Sequence, residues 1–138
     1  MNFSNKDGGK IIFELIKTIQ DKKDFLSEVD GKIGDGDHGI NMNKGFTMTY
    51  CKVNGKDYDM TTAFSVLGDT LLEDIGGSMG PLYGAFFDGL SEASEDHDVI
   101  DKKTFQKMIH TALEAIQDIG NAKRGDKTLL DTLIPAVE

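Results

Sequence analysis

Apolar residues recur along most of the chain at the three- and four-residue spacing that places them on one face of an α-helix. Short polar or glycine-rich segments interrupt this pattern, and no stretch longer than a few residues alternates with the period of two typical of strands. The pattern predicts helices at 11–19 (beginning as early as Ser4 or Asn5), 25–29, 39–52, 61–75, 81–90 and 105–119, and a last helix beginning between 126 and 128.

Long helices joined by short loops favour antiparallel neighbours. We therefore predict an all-α fold, an antiparallel up-and-down helical bundle or barrel. The 138 residues suffice for one domain with a core but not for two, so residues 1–138 are expected to form a single domain. Pro135 lies inside the last predicted helix, where we expect a bend. Because the chain stops within that helix, we expect the domain to be incomplete at its C-terminus.

The composition narrows the classes of partner. The 24 acidic and 15 basic residues give a formal net charge of -9, which disfavours binding to nucleic acid or to an anionic membrane. The single cysteine, Cys51, fits a reducing compartment, and we expect it to be a small buried apolar group. Neither a signal peptide nor an apolar run of membrane-spanning length is present, so the cytoplasm is the expected location.

The segment 29–39 combines three carboxylates with four glycines. Asp30, Asp35 and Asp37 offer only oxygen ligands, which suit a hard cation such as magnesium or calcium and not zinc. A single Asp-Gly pair indicates only a solvated turn, but three aspartates crowded before a helix would repel one another without a cation. The spacing is not that of an EF-hand. We therefore predict a magnesium site whose remaining ligands are water and phosphate.

A second glycine-rich segment, 76–84, opens a predicted helix and carries a hydroxyl group at Ser78. Glycine lets a phosphate approach the backbone, and a helix N-terminus favours an anion. A tight turn between helices explains the same residues equally well, and the segment is neither a Walker P-loop nor a Rossmann fingerprint. A third segment, 120–131, is a helix-capping turn by its residue types. His38 follows the acidic loop and is interpreted as a contact residue, not as a general base.

Together these segments resemble the nucleotide-binding L subunit of dihydroxyacetone kinase. The motif Gly-Asp-Gly-Asp-His-Gly matches 34–39, preceded by Asp30 and followed by Asn41. The motif Gly-Gly-x-x-Gly-Pro-Leu-x-Gly matches 76–84, and Gly-Asp-Lys-Thr-x-x-Asp matches 125–131. The resemblance implies an eight-helix antiparallel barrel that binds ADP or ATP, with two magnesium ions on the three aspartates.

The resemblance also implies which residues contact the nucleotide and which proteins cooperate with it. The substrate would be held on a separate K subunit, which accounts for the lack of a base or nucleophile here. In a freestanding subunit a phosphotransferase-system subunit would rephosphorylate bound ADP, whereas a multidomain version would use ATP from solution, and the sequence leaves both open. Met79 stands where the family commonly has serine, and Leu129 replaces a frequent methionine. The family's further C-terminal helices have no counterpart in the sequence. The implied nucleotide contacts are His38, Gly39, Ile40, Asn41, Gly77, Ser78, Met79, Gly120 and Leu129.

Three other interpretations stay open. The nucleotide domain of a fatty acid kinase resembles the same fold, although its acidic loop usually ends in Asp-Thr-Gly and this one has His38. A non-catalytic, ADP-loaded protein that docks on a regulator would keep the same metal ligands. A calcium buffer would bind the metal without nucleotide and would tolerate changes at Ser78.

Overall fold

The computed structural model describes residues 2–138 and is almost entirely helical. The all-α prediction is confirmed. Two short strands accompany the helices. The elements are β1 (Phe3–Ser4), α1 (Asn5–Gly8), α2 (Ile11–Asp30), α3 (His38–Val53), α4 (Met60–Asp74), α5 (Met79–Ser94), β2 (Val99–Ile100), α6 (Lys102–Ile119) and α7 (Leu130–Val137).

Helices that follow one another along the chain pack side by side, from α2 through α7, so the bundle runs up and down. The C-terminus of α2 and the N-terminus of α3 therefore lie at the same end as the turn between α4 and α5. A continuous apolar core fills the space between the helices, and a smaller cluster of Leu113, Ile116 and Leu130 joins α6 to α7. Fully buried members of the main core include Ile12, Ile16, Phe46, Leu67, Leu71 and Met108.

Aspartate side chains mark two helix starts. Asp59 Oδ1 accepts a hydrogen bond from the Thr62 amide at 2.7 Å, and Asp101 Oδ1 accepts one from the Thr104 amide at 2.8 Å. Each bond satisfies an amide in the first turn that has no partner within its helix. The cap at Asp101 starts α6 at Lys102, three residues before the apolar stripe that predicted it.

The first helical region differs from its prediction. Ser4 caps only the four-residue α1, which a turn at Gly9 and Lys10 separates from α2. The segment 25–29, predicted as a separate short helix, continues α2 to Asp30 because neither glycine nor proline interrupts 11–30. At the other end of the chain, α7 begins at Leu130, later than predicted, and contains Pro135 as expected.

Two further features were missed. Phe3 and Ser4 pair with Ile100 and Val99 in a two-stranded antiparallel ladder, which is too short to leave a period of two in the sequence. Cys51, predicted to be buried, is exposed because it lies on the outer face of α3. No helix among residues 2–138 is both long enough and apolar enough to cross a bilayer.

One half-buried carboxyl group, at the contact between α4 and α5, lies in surroundings that disfavour its charge. Asp88 of α5 packs directly over Gly68 of α4, where a methyl group would overlap its Oδ1 atom. Burial, helped by the nearby Asp69 carboxylate, raises the pKa of Asp88 from its ordinary 3.8 to about 6. The close crossing of α4 and α5 therefore makes the charged form of this carboxyl group less favourable than that of an exposed aspartate.

Asp88→Asn is expected to stabilise the protein at neutral pH but not at acidic pH. The unfolded chain loses this proton near pH 4 and the folded chain only near pH 6, so ionisation increasingly opposes folding as the pH rises through that window. Solvent screening limits the gain to about 1 kcal/mol, or a few degrees in Tm. Thermal unfolding of both proteins at pH 7.5 and pH 3.5 checks this; equal Tm differences at the two pH values would contradict it.

Candidate metal and nucleotide site

The acidic loop brings its three carboxylates together at one end of the bundle. Asp30 is the last residue of α2, and Asp37 directly precedes α3. One oxygen from each of Asp30, Asp35 and Asp37 lies within 4.8 Å of the other two. Asp30 is half-buried, whereas the other two are exposed. The clustering predicted from the spacing is therefore present in the fold.

Backbone contacts hold the loop in this shape. The Gly34 amide donates to the Asp30 carbonyl oxygen at 2.6 Å, and the His38 amide donates to Asp30 Oδ2 at 3.3 Å. The Asp37 amide donates to Asp35 Oδ1 at 3.3 Å. Gly36 has φ +77°, a conformation that other residues rarely adopt. A methyl group at Gly34 would stand 2.6 Å from Asp30 Oδ1, so glycine there leaves room for the carboxylate.

The donor set fits a hard divalent cation. None of the three aspartates forms an ion pair with a basic side chain in the part of the chain that the structure describes. Asn41 Nδ2 donates to Asp37 Oδ2 at 2.9 Å, which orients that carboxylate without neutralising it. Three convergent carboxylates without a compensating charge repel one another, and oxygen-only ligands match magnesium or calcium.

The glycine-rich segment faces the acidic loop from the turn between α4 and α5. Gly77 has φ +76°, and Ser78 directly precedes α5. The Ser78 side chain makes no capping bond to the helix, so its hydroxyl group is free for another partner. A methyl group at Gly80 would overlap the Ile75 carbonyl oxygen, so glycine at this position lets the first turn of α5 press against the end of α4.

A cavity of about 420 Å³ separates the two loops. This volume lies in the range of small-molecule sites. The centroids of the His38 and Tyr83 rings are 6.0 Å apart, so this contact joins the start of α3 to α5. Burial raises the pKa of the Tyr83 hydroxyl above its ordinary value of 10. The lining residues are Asp30, Asp37, His38, Asn41, Gly76, Gly77, Ser78 and Met79.

Other residues predicted as contacts lie elsewhere. Gly39 is buried against α2, where a methyl group would overlap the Lys23 carbonyl oxygen, and Ile40 is exposed on α3. Gly120 ends α6 and Leu129 precedes α7, and neither lines the cavity. The structure thus unites the acidic and glycine-rich loops and leaves the third segment apart.

The third segment is built as a closed turn. The Asp131 carboxylate accepts hydrogen bonds from the Gly125 amide at 2.7 Å and the Thr128 amide at 2.9 Å. These bonds, that from Gly125 first, lower the pKa of Asp131. Gly125 has φ +98°, which suits the turn. The motif residues here shape the entry to α7, in line with the capping turn expected from the residue types.

Two residues near the cavity were not singled out from the sequence. Gly76 lines it directly, and Tyr83 supports the His38 ring. Tyr83 follows Met79 by four residues on α5, so the two share a helix face. The four-residue spacing from Met79 could have indicated that Tyr83 lies near the cavity, but only if the helix was known to begin at Met79.

The helical bundle has the fold of one part of a known kinase. The crystal structure of the dihydroxyacetone kinase from C. freundii in complex with AMP-PNP and Mg²⁺ matches it with a TM-score of 0.79 and 25% identity. The match covers 99% of this chain and 25% of that one. The DAK2 domain model matches residues 32–138, and the chain belongs to the DAK2 domain family.

Curated relatives include three freestanding subunits. The chain is 39% identical over 120 residues to the ADP-binding subunit DhaL of PEP-dependent dihydroxyacetone kinase 1 from Listeria innocua, covering 86% of this chain and 60% of that protein. It is also 39% identical to the ADP-binding subunit DhaL of PTS-dependent dihydroxyacetone kinase from Lactococcus lactis, and this match covers 82% of this chain and 57% of that protein. Its identity to the ADP-binding subunit DhaL of PEP-dependent dihydroxyacetone kinase from Escherichia coli is 34%, and this match covers 85% of this chain and 56% of that protein. The chain thus spans at most 60% of these relatives' length.

Proposed function

We propose that this chain is the nucleotide-binding part of the ADP-binding L subunit of a dihydroxyacetone kinase, a phosphotransferase. The observation that carries the proposal is the cavity of about 420 Å³ between three convergent carboxylates and a glycine-rich helix start. Similarity to three subunits of this kind supports it. The match to a kinase structure containing AMP-PNP and Mg²⁺ supports the choice of nucleotide and metal.

In this proposal Asp30, Asp35 and Asp37 hold magnesium, with two ions expected. The bound metal would neutralise charge on the phosphates of ADP or ATP. The backbone amide of Gly77 and the hydroxyl group of Ser78, which both line the cavity, would donate to phosphate oxygens. This arrangement explains how a chain with a net charge of -9 can bind a polyanion.

The chain's own contribution to catalysis is then positioning. Asn41 orients the Asp37 carboxylate, and the His38 amide orients that of Asp30. The lining contains one histidine, His38, and one serine, Ser78, but in the part of the chain that the structure describes no hydrogen bond joins their side chains, as activation of a nucleophile requires. Phosphoryl transfer relies mainly on positioning and charge neutralisation, so a site without a base is sufficient on this side. Gly120 and Leu129 remain proposed contacts on the adenine side.

The acceptor and the phosphodonor come from partners in this proposal. Dihydroxyacetone would be bound on a separate K subunit, which presents it to the nucleotide. A phosphotransferase-system subunit would rephosphorylate bound ADP, in keeping with the PEP- and PTS-dependent relatives. The L-erythrulose kinase of Pectobacterium atrosepticum is also similar, at 32% identity, but the chain covers only 19% of it. The freestanding subunits are therefore the better guide to substrate class.

The experiment that tests this division of labour is reconstitution. The chain, a K subunit and the phosphodonor system are mixed with dihydroxyacetone, and product is measured with each component omitted in turn. We expect turnover only when the chain and the K subunit are both present. Turnover by the chain alone would refute the divided site. Magnesium-ADP binding without transfer in the complete mixture would favour a non-catalytic docking protein, and calcium binding without ADP binding would favour a calcium buffer.

A further inference from the structure

Two lysines of α3 reach the last residue of α4. Lys44 Nζ donates to the Asp74 carbonyl oxygen at 3.4 Å, and Lys52 Nζ donates to Asp74 Oδ2 at 3.1 Å. Asp74 stands two residues before Gly76, where the glycine-rich loop begins. A cation near the C-terminus of a helix interacts favourably with its unpaired carbonyl groups and its dipole. The two contacts therefore tie the end of α4 to α3.

Lys52 is itself held in place. Its ammonium group also donates to Thr70 Oγ1 at 2.9 Å, and Thr70 is fully buried and donates to the Val66 carbonyl oxygen at 2.6 Å. The lysine thus contacts two successive turns of α4, at Thr70 and at Asp74. This second contact distinguishes the arrangement from an isolated surface ion pair, in which both side chains move freely.

The glycine-rich loop has little packing of its own. A methyl group at Gly76 or Gly77 would meet no atom within 4 Å, so the backbone there faces open space. The position of the loop must then be set by its flanks. On one side stand the buried Ile75 and the clamped Asp74, and on the other stands Gly80, pressed against the end of α4.

We propose that Lys44 and Asp74 are positioning residues that hold the glycine-rich loop at its distance from the acidic loop. The helix α3 carries both ends of this link. It begins at His38 beside the metal ligands, and Lys44 lies about 9 Å further along its axis. The proposal rests on the proposed function, because it assigns the two residues a role in placing nucleotide phosphates.

Asp74→Ala separates positioning from simple electrostatics. Removing a carboxylate close to the phosphate loop would tighten binding of the anionic nucleotide if charge alone mattered. If the Asp74 carboxylate positions the loop, magnesium-ADP affinity instead falls by about fivefold, because the ion pair with Lys52 is lost while the backbone carbonyl that Lys44 contacts remains. Asp21→Ala is the matched control, since it makes the same charge change at the exposed Lys17–Asp21 pair, and its affinity should equal that of the unmodified chain.

Lys44 provides a second variant. Lys44→Met removes the ammonium group but keeps the length of the side chain, and should also weaken magnesium-ADP binding. Lys44→Arg restores a donor to the Asp74 carbonyl oxygen and should recover most of the affinity. Manganese titrated without nucleotide should bind all variants within about twofold of the unmodified chain, because the acidic loop is unchanged and solvent screens distant charges.

The outcomes separate the two proposals. Equal or tighter magnesium-ADP binding by Asp74→Ala, with normal binding by the unmodified chain, would overturn the positioning role and leave the proposed function standing. A lower Tm with unchanged ADP affinity would show a purely structural role and would also overturn it. If the unmodified chain bound no magnesium-ADP, the proposed function would fail and the positioning role with it.

Discussion

Asp35→Asn is expected to abolish magnesium-dependent ADP binding, with a loss of affinity on the order of 100-fold or more. Asp35 clusters with the carboxylates of Asp30 and Asp37, and within residues 2–138 neither of these has a basic ion-pair partner that could replace the metal. Removing one of the three negative charges therefore lowers the affinity for the cation. Without the cation, the charge of the nucleotide phosphates is not neutralised. The measurement is ADP titration by calorimetry in the presence of magnesium.

The fold should not change in this variant. Asp35 is exposed, and among the described residues its side chain accepts a hydrogen bond from the Asp37 amide alone, a bond that the amide oxygen of asparagine can replace. Circular dichroism should therefore show unchanged helix content. Asp57→Asn is the matched control, because Asp57 is also exposed but lies between α3 and α4 at the opposite end of the bundle. ADP affinity unchanged by Asp35→Asn would rule out the aspartate site.

Gly39→Ala is expected to cause a large loss of stability. The added methyl group would overlap the Lys23 carbonyl oxygen and stand 2.6 Å from Ser27 Oγ and 2.8 Å from the Ser27 amide. These are mostly backbone atoms of α2, which cannot move aside as a flexible side chain can. Forcing α2 and α3 apart should lower the free energy of unfolding by about 3 kcal/mol and Tm by about 10 °C. Thermal unfolding measures the change.

A second glycine substitution supplies the comparison. At Gly76 a methyl group would meet nothing within 4 Å and the backbone is not left-handed, so Gly76→Ala should leave Tm nearly unchanged. If both variants had the same Tm as the unmodified protein, the result would contradict the close contact of α2 and α3 at Gly39. The comparison also tests the structural role of Gly39, whose lack of a side chain lets α2 and α3 approach each other closely.

Helix positions could be predicted largely because apolar periodicity reports burial directly. The predicted 39–52 and 61–75 differ from α3 and α4 by one residue at each end. Errors arose where local signals were ambiguous. A polar stretch inside α2 was mistaken for a break, although a helix tolerates exposed polar residues on its outer face. Pairing of Phe3 with Ile100 joins distant residues and leaves no local pattern.

The candidate site was predictable to the extent that it is local in sequence. Three aspartates within eight residues must lie near one another in space, so the carboxylate cluster follows from the sequence of the loop itself. The support of the opposite, glycine-rich loop is not local. The contacts of Lys44 and Lys52 with Asp74 depend on how α3 packs on α4, which periodicity does not specify. The sequence therefore predicts the carboxylate cluster proposed to bind the metal but not the residues proposed to position the opposite loop.

The most direct test of the central claim is calorimetric titration of ADP into this chain, with magnesium and again with a chelator in its place. We predict binding with magnesium and none without it, because the nucleotide phosphates reach an acidic surface only through a cation on Asp30, Asp35 and Asp37. Binding of equal strength in both titrations, or no binding in either, would contradict the account.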